Sequence, residues 1–191
     1  MASFKEILED WRELGNELGD AYAHNRLFWS SILSRSIPAV GKSTAETNVS
    51  TMNRYKGFFQ TTEDALGYAL VLSVNILFDL PSKRGNHQPN SIFVFLNKLG
   101  DQRKKGEFKV LRKKFKTTID QFGVARNEYF AHRHVKTTDI PSIEDTKQLL
   151  DALGAFLNSI GDKFTPRFQL TWHEGVDDIE ADFNSLLKDL Q

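Results

Sequence analysis

Apolar residues recur at helical spacing through most of the chain. Phe4, Ile7, Leu8, Trp11, Leu14, Leu18, Ala21 and Tyr22 fall three and four apart, and Ser3 followed by Glu6 has the form of a capping box. They predict a first helix running to about Ser34. Residues 36–50 open with Ser-Ile-Pro-Ala-Val-Gly-Lys-Ser-Thr and carry loop chemistry. A second helix includes Thr62 to Asp79. Leu66, Tyr68, Leu70, Val71, Val74, Ile76, Leu77 and Phe78 make it apolar on most sides, the pattern of a helix at the centre of a bundle. Gly85, Asn86 and Pro89 mark 81–90 as a turn-rich connection.

A short helix follows from Ser91 to Leu99 and stops at Gly100, and the longest helix is expected from about Glu107 to His134. The seam of that helix is Phe108, Leu111, Phe115, Ile119, Phe122, Ala125 and Tyr129. Pro141 and Ser142 introduce a fifth helix ending near Gly161, with Leu149, Leu150, Leu153, Phe156, Leu157 and Ile160 on one face. Residues 167–172 could be extended but lack an obvious strand partner, and Asp177 to Leu190 reads as a tail helix. The expectation is all-α: a bundle of four to five core helices over 1–165, with a helical extension, 166–191, packed on or beside it.

Length and composition narrow the function. A chain of 191 residues, 40% apolar and 26% charged, fits one compact domain, and fifteen phenylalanines supply a substantial core. There is no cysteine, which removes disulfides, thiolate zinc sites and cysteine nucleophiles together. No metal or other cofactor is expected. His132 and His134 are two apart and diverge by about 200° on a helix, and the other histidines lie in unrelated contexts. The start, Met1 to Glu6, lacks an export-signal layout, and the longest apolar run, Ala69 to Leu72, is far too short to span a bilayer. A cytoplasmic protein without a membrane partner is expected.

Formal net charge is zero, so any nucleic-acid binding must come from a local patch. One exists: Arg103, Lys104, Lys105, Lys109, Arg112, Lys113, Lys114 and Lys116 stand against a lone Glu107. Lys109, Arg112, Lys113 and Lys116 lie opposite or beside the apolar seam and could follow a phosphate backbone. Taken one by one, such residues are more often a solvated helix face. Gly41-Lys42-Ser43-Thr44 has the ending of a P-loop, but Ser36 stands where its first glycine belongs and no apolar strand precedes it.

The stretch with most chemical content is Arg126-Asn127-Glu128-Tyr129-Phe130-Ala131-His132. An imidazole that titrates near neutrality can take a proton from a ribose 2′-hydroxyl or give one to a leaving 5′-oxygen. The guanidinium fork of Arg126 suits a phosphate approaching a pentavalent state. Glu128, four residues before His132, can reach the imidazole and set its tautomer. On an ideal helix Arg126 and His132 are roughly 240° apart. Either the reach of arginine closes that gap, or two copies of the helix meet across a dimer. The plainer alternative is a structural salt bridge between Arg126 and a facing carboxylate.

Arginine, a polar residue, then histidine resembles the R-polar-x(3–5)-H signature of the HEPN superfamily. With the helix ending Asn75-Ile76-Leu77-Phe78-Asp79, the short helix after Ser91, the run from Arg126 to Arg133 and the leucine-rich helix 143–161, the chain resembles its abortive-infection U branch over residues 4–161. The resemblance implies a helical bundle, commonly homodimeric, with the motifs of two subunits facing one cleft. It implies metal-independent endoribonuclease activity in phage defence or toxin–antitoxin systems, an RNA substrate and an antitoxin protein as a further partner. By it, Arg126 and His132 are the catalytic pair and Asn127 the supporting polar residue. A tyrosine two residues after the histidine is a modification target in one branch; here His134 stands there, so that control does not carry over. The alternative is a non-catalytic HEPN-like module binding a nucleotide, RNA or a protein.

Overall fold

The computed structural model describes residues 3–80, 91–132, 140–162 and 176–191. Among them the helices are α1 (Phe4–Leu33), α2 (Ile37–Val40), α3 (Lys42–Arg54), α4 (Lys56–Phe78), α5 (Ile92–Leu99), α6 (Gln102–Lys114), α7 (Lys116–His132), α8 (Ile143–Gly161) and α9 (Val176–Asp189). No strand occurs in the described residues. The fold is an all-α bundle, as the periodicity requires.

The capping box of α1 is formed, with Ser3 accepting from the Glu6 amide and the Glu6 carboxylate returning to the Ser3 amide. The buried stripe of α1 includes Trp11, Leu14, Leu18, Ala21, Tyr22 and Phe28, and it packs most extensively on α4 and then on α8. Trp11 is fully buried, and its indole N–H donates to the Leu157 carbonyl of α8 at 2.8 Å. Ser142 caps α8, and Gly100 closes α5 in the left-handed region at φ 71°. Phe108 of α6 stacks with Phe78 and Phe156, at centroid distances of 6.1 and 5.5 Å. Those three rings join α6 to α4 and α8. Helix α9 packs most extensively on α1, and a smaller cluster of Met52, Phe59 and Leu187, with Phe183 and Leu190, links it to α3 and the start of α4.

Several sequence expectations need correction. Residues 36–50, read as loop, are largely helical, lying in α2 and α3. Pro38 sits at the start of α2, where a missing N–H costs nothing. Helix α3 buries two polar residues, Asn48 and Thr51, along with Ala45 and Met52, so little hydrophobic periodicity marked it. The expected long helix to His134 is two helices that meet at Phe115 (φ −101°, ψ 20°), and α1, at 30 residues, is longer than either. Helix α4 is buried along Leu70, Val71, Val74, Leu77 and Phe78, while Tyr68, Leu72 and Ile76 are only half-buried. It is therefore not enclosed on every side. Residues 167–172 and His134 lie outside the described residues. Among those described, no helix is long and apolar enough to cross a membrane.

Candidate functional site

The C-terminal end of α4 meets the last third of α7. Helix α4 stops at Asp79, whose backbone turns extended (φ −60°, ψ 134°). The Asp79 carboxylate reaches α7, where Arg126 Nη1 donates to Oδ1 at 2.7 Å. One turn earlier on α4, Asn75 Nδ2 donates to the Phe122 carbonyl of α7 at 3.0 Å and to the Val71 carbonyl of its own helix at 2.7 Å. In an α-helix the Phe122 carbonyl is also the acceptor for the Arg126 amide. Residues 75 and 79 thus hold the same turn of α7, one by its backbone and the other by its arginine side chain.

The facing carboxylate that a structural salt bridge would require is therefore present. Its surroundings limit what it does for stability: the two side chains are 37% and 34% exposed, a setting in which an ion pair contributes only about 0–1 kcal/mol. Orientation is the larger effect. A guanidinium has five N–H donors, and the bond to Asp79 takes one of them. Phe122 and Ala125 of the seam are buried, whereas Asn127 and Glu128 are exposed.

His132 is the last residue of α7. As a helix position it lies about 9 Å beyond Arg126 along the axis and roughly 240° around it. It falls within about 20° of Ala125, on the continuation of the buried seam. The side chains of residues 129–132 lie outside the described residues, so the expected approach of Glu128 to the imidazole does too.

Six of the eight cations of the basic run fall into two groups. Lys104 is buried, with Nζ at 2.7 Å from the Glu107 carboxylate and 2.8 Å from Ser159 Oγ, and Arg103 Nε binds the other oxygen of Glu107 at 2.9 Å. The hydrogen bonds from Lys104 and Arg103 hold the Glu107 carboxyl below its ordinary range. Lys104, bound to Ser159 of α8, serves the fold, whereas Arg103 is largely exposed. Lys109, Arg112, Lys113 and Lys116 instead line one groove of about 400 Å³ at the bend between α6 and α7, together with Val110, Ile119 and Asp120. All four residues expected to contact RNA are brought together there. The Arg112 guanidinium lies over the Phe93 ring, 4.7 Å from its centroid, and Lys116 pairs with Asp120.

Sequence reasoning gave no role to Asp79 or Asn75. Two polar residues four apart at the end of an apolar helix were the available signal, since that spacing puts them on one face. The partner of Arg126 was not legible, because it is 47 residues away in the chain.

The family model described as AbiU2, of the HEPN type, matches residues 4–171. Comparison with curated proteins and with solved structures returns no match.

Proposed function

The chain belongs to the AbiU2 family of HEPN-type, abortive-infection-related proteins, and from that premise we propose that it is a metal-independent endoribonuclease. His132 removes the proton from a ribose 2′-hydroxyl, or delivers one to the leaving 5′-oxygen. Arg126 neutralises the phosphate as charge builds on its oxygens. The products are a 2′,3′-cyclic phosphate and a 5′-hydroxyl. Asn127 supports the pair from the exposed side of α7, and Glu128 stabilises the imidazole from one turn before it.

The observation that carries this reading is the way Arg126 is held. Asp79 fixes one edge of the guanidinium, and the turn beneath it is tied down through Asn75. A cation whose position is set by the fold binds a transition state without the cost of being ordered at that moment. Within one chain His132 lies on another side of the helix. A homodimer in which α7 from each copy lines a shared cleft would bring the histidine of one to the arginine of the other. The setting is growth arrest in phage defence, with an antitoxin protein as the restraining partner.

The test is cleavage of RNA by the purified protein in excess EDTA, beside His132→Ala and Arg126→Ala. The expected result is cyclic-phosphate ends with wild-type protein and loss of cleavage in both variants. Cleavage that persists in the variants would sink the assignment. The ion pair with Asp79 also fits a second reading, a binding module in which Arg126 is purely structural. In that module no RNA is cut, and His132→Ala changes nothing.

A further inference from the structure

We propose that the groove at the α6–α7 bend is a nucleotide subsite, taking one unpaired base of the RNA strand close to the bond that is cut. The inference rests on the ribonuclease reading for the identity of its substrate and on the groove itself for its chemistry. Phosphate tracking alone would need only the cations. This groove also presents two apolar side chains, Val110 and Ile119, among Lys109, Arg112, Lys113 and Lys116. Val110 is 70% exposed and shares the groove wall with those cations, so its apolar surface is open to whatever enters. Apolar surface beside cationic side chains matches a nucleotide, whose base has two flat apolar faces and whose phosphates are anionic.

Size and reach agree. A volume of about 400 Å³ lies at the lower end of the range for small-ligand sites, enough for a single nucleotide. A base stacked inside a duplex has no free face to offer, so the occupant is unpaired. Arg112 is pre-oriented by its contact with Phe93, which holds its guanidinium at the groove.

The groove also stands in register with Arg126. Ile119 lies seven residues before it on α7, about 10.5 Å along the axis and within about 20° of the same face. A stacked strand advances about 3.4 Å per nucleotide, so the base in the groove is within about three nucleotides of the phosphate at Arg126. The subsite would thereby make cleavage depend on an unpaired base at a fixed distance from the cut.

The test is binding of the full-length protein to a fluorescent 2′-O-methyl RNA strand, which cannot be cleaved by 2′-hydroxyl attack. The strand is compared with its duplex and with a version carrying abasic positions. The base-containing single strand should bind about tenfold more tightly than either, the increment expected for burying one small apolar side chain against a base. Val110→Ser should remove that preference and leave the affinity for the abasic strand unchanged. Lys113→Ala should weaken all three alike and lower the salt slope by about one.

Equal affinity for base-containing and abasic strands, with only the lysine variant impaired, overturns the subsite and leaves a phosphate track. Binding of an acidic peptide but of no RNA overturns it in favour of protein docking. Failure of the ribonuclease reading shows itself differently, as an unmodified strand left intact by protein that still discriminates bases.

Discussion

Arg126, in the last third of α7, and Asp79, at the C-terminal end of α4, are joined by one hydrogen bond of 2.7 Å, with each side chain about one-third exposed. In such a setting the pair contributes about 0–1 kcal/mol to folding, so its consequence should be kinetic. On the proposed ribonuclease reading, Asp79→Ala is expected to lower cleavage about 10- to 100-fold through misplacement of the guanidinium, with a nearly unchanged thermal midpoint. Combined with Arg126→Ala it should cost nothing further, because both changes remove the same oriented cation. A double variant clearly worse than Arg126→Ala alone would mean that Asp79 acts through something else.

Asn75 offers a separate handle on the same turn. The Val71 and Phe122 carbonyls that it binds are each internal to a helix, so removal of the amide leaves neither without a helical donor. Asn75→Ala should therefore cost about 1–3 kcal/mol, the sum of two ordinary hydrogen bonds, with no added penalty of an orphaned buried group. Denaturant unfolding would measure this. A loss well beyond that range would indicate that Asn75 holds α4 and α7 together more strongly than two such bonds can.

Two glycines distinguish crowding from mere flexibility. At Gly161 an added Cβ would fall inside van der Waals contact of Trp11 Cζ2 and lie 2.7 Å from Cε2 of the same fully buried ring. Gly161→Ala is expected to destabilise by about 1–3 kcal/mol, since the indole cannot shift without losing its bond to Leu157. At Gly123, inside α7, nothing lies within 4 Å of an added Cβ. There alanine should stabilise by about 0.5–1 kcal/mol. Opposite shifts in thermal midpoint are the expected readout.

Those glycines also show what kind of information a sequence holds. Gly161 was legible as the end of a helix, but the ring that excludes a side chain there comes from Trp11, 150 positions earlier. Helices with apolar periodicity and a serine cap, such as α1, α5 and α8, could be bounded to within a residue or two, because caps and hydrophobic stripes are local signals. Helix α3 escaped notice because part of its buried face is polar: Asn48 donates to the Ser34 carbonyl at 2.9 Å, a partner that only the fold supplies. The bend at Phe115 has no glycine or proline to announce it. At the candidate site the cation was legible and its anchor was not. The four cations of the groove could be named from their spacing, whereas the concavity they share depends on the angle between α6 and α7.

His24 of α1 lies against α4, with Nδ1 3.1 Å from Ser73 Oγ. The Ser73 hydroxyl donates to the Ala69 carbonyl at 2.9 Å, so its oxygen is left to accept and the imidazole carries its proton on Nδ1. Burial pushes His24 below its ordinary value of 6.5, against an opposing pull from Asp20 one turn earlier. The unfolded chain therefore takes up this proton at a higher pH than the folded one. Stability from His24 is fully present above about pH 6.5 and is lost as pH falls through the lower, folded value. His24→Gln, which cannot take up the proton, should narrow the drop in thermal midpoint between about pH 7.5 and about pH 5.5 relative to wild type. The comparison isolates His24, because every other titrating group is common to both proteins. An unchanged drop in the variant would mean that the imidazole between α1 and α4 charges in the folded state as readily as in the unfolded chain.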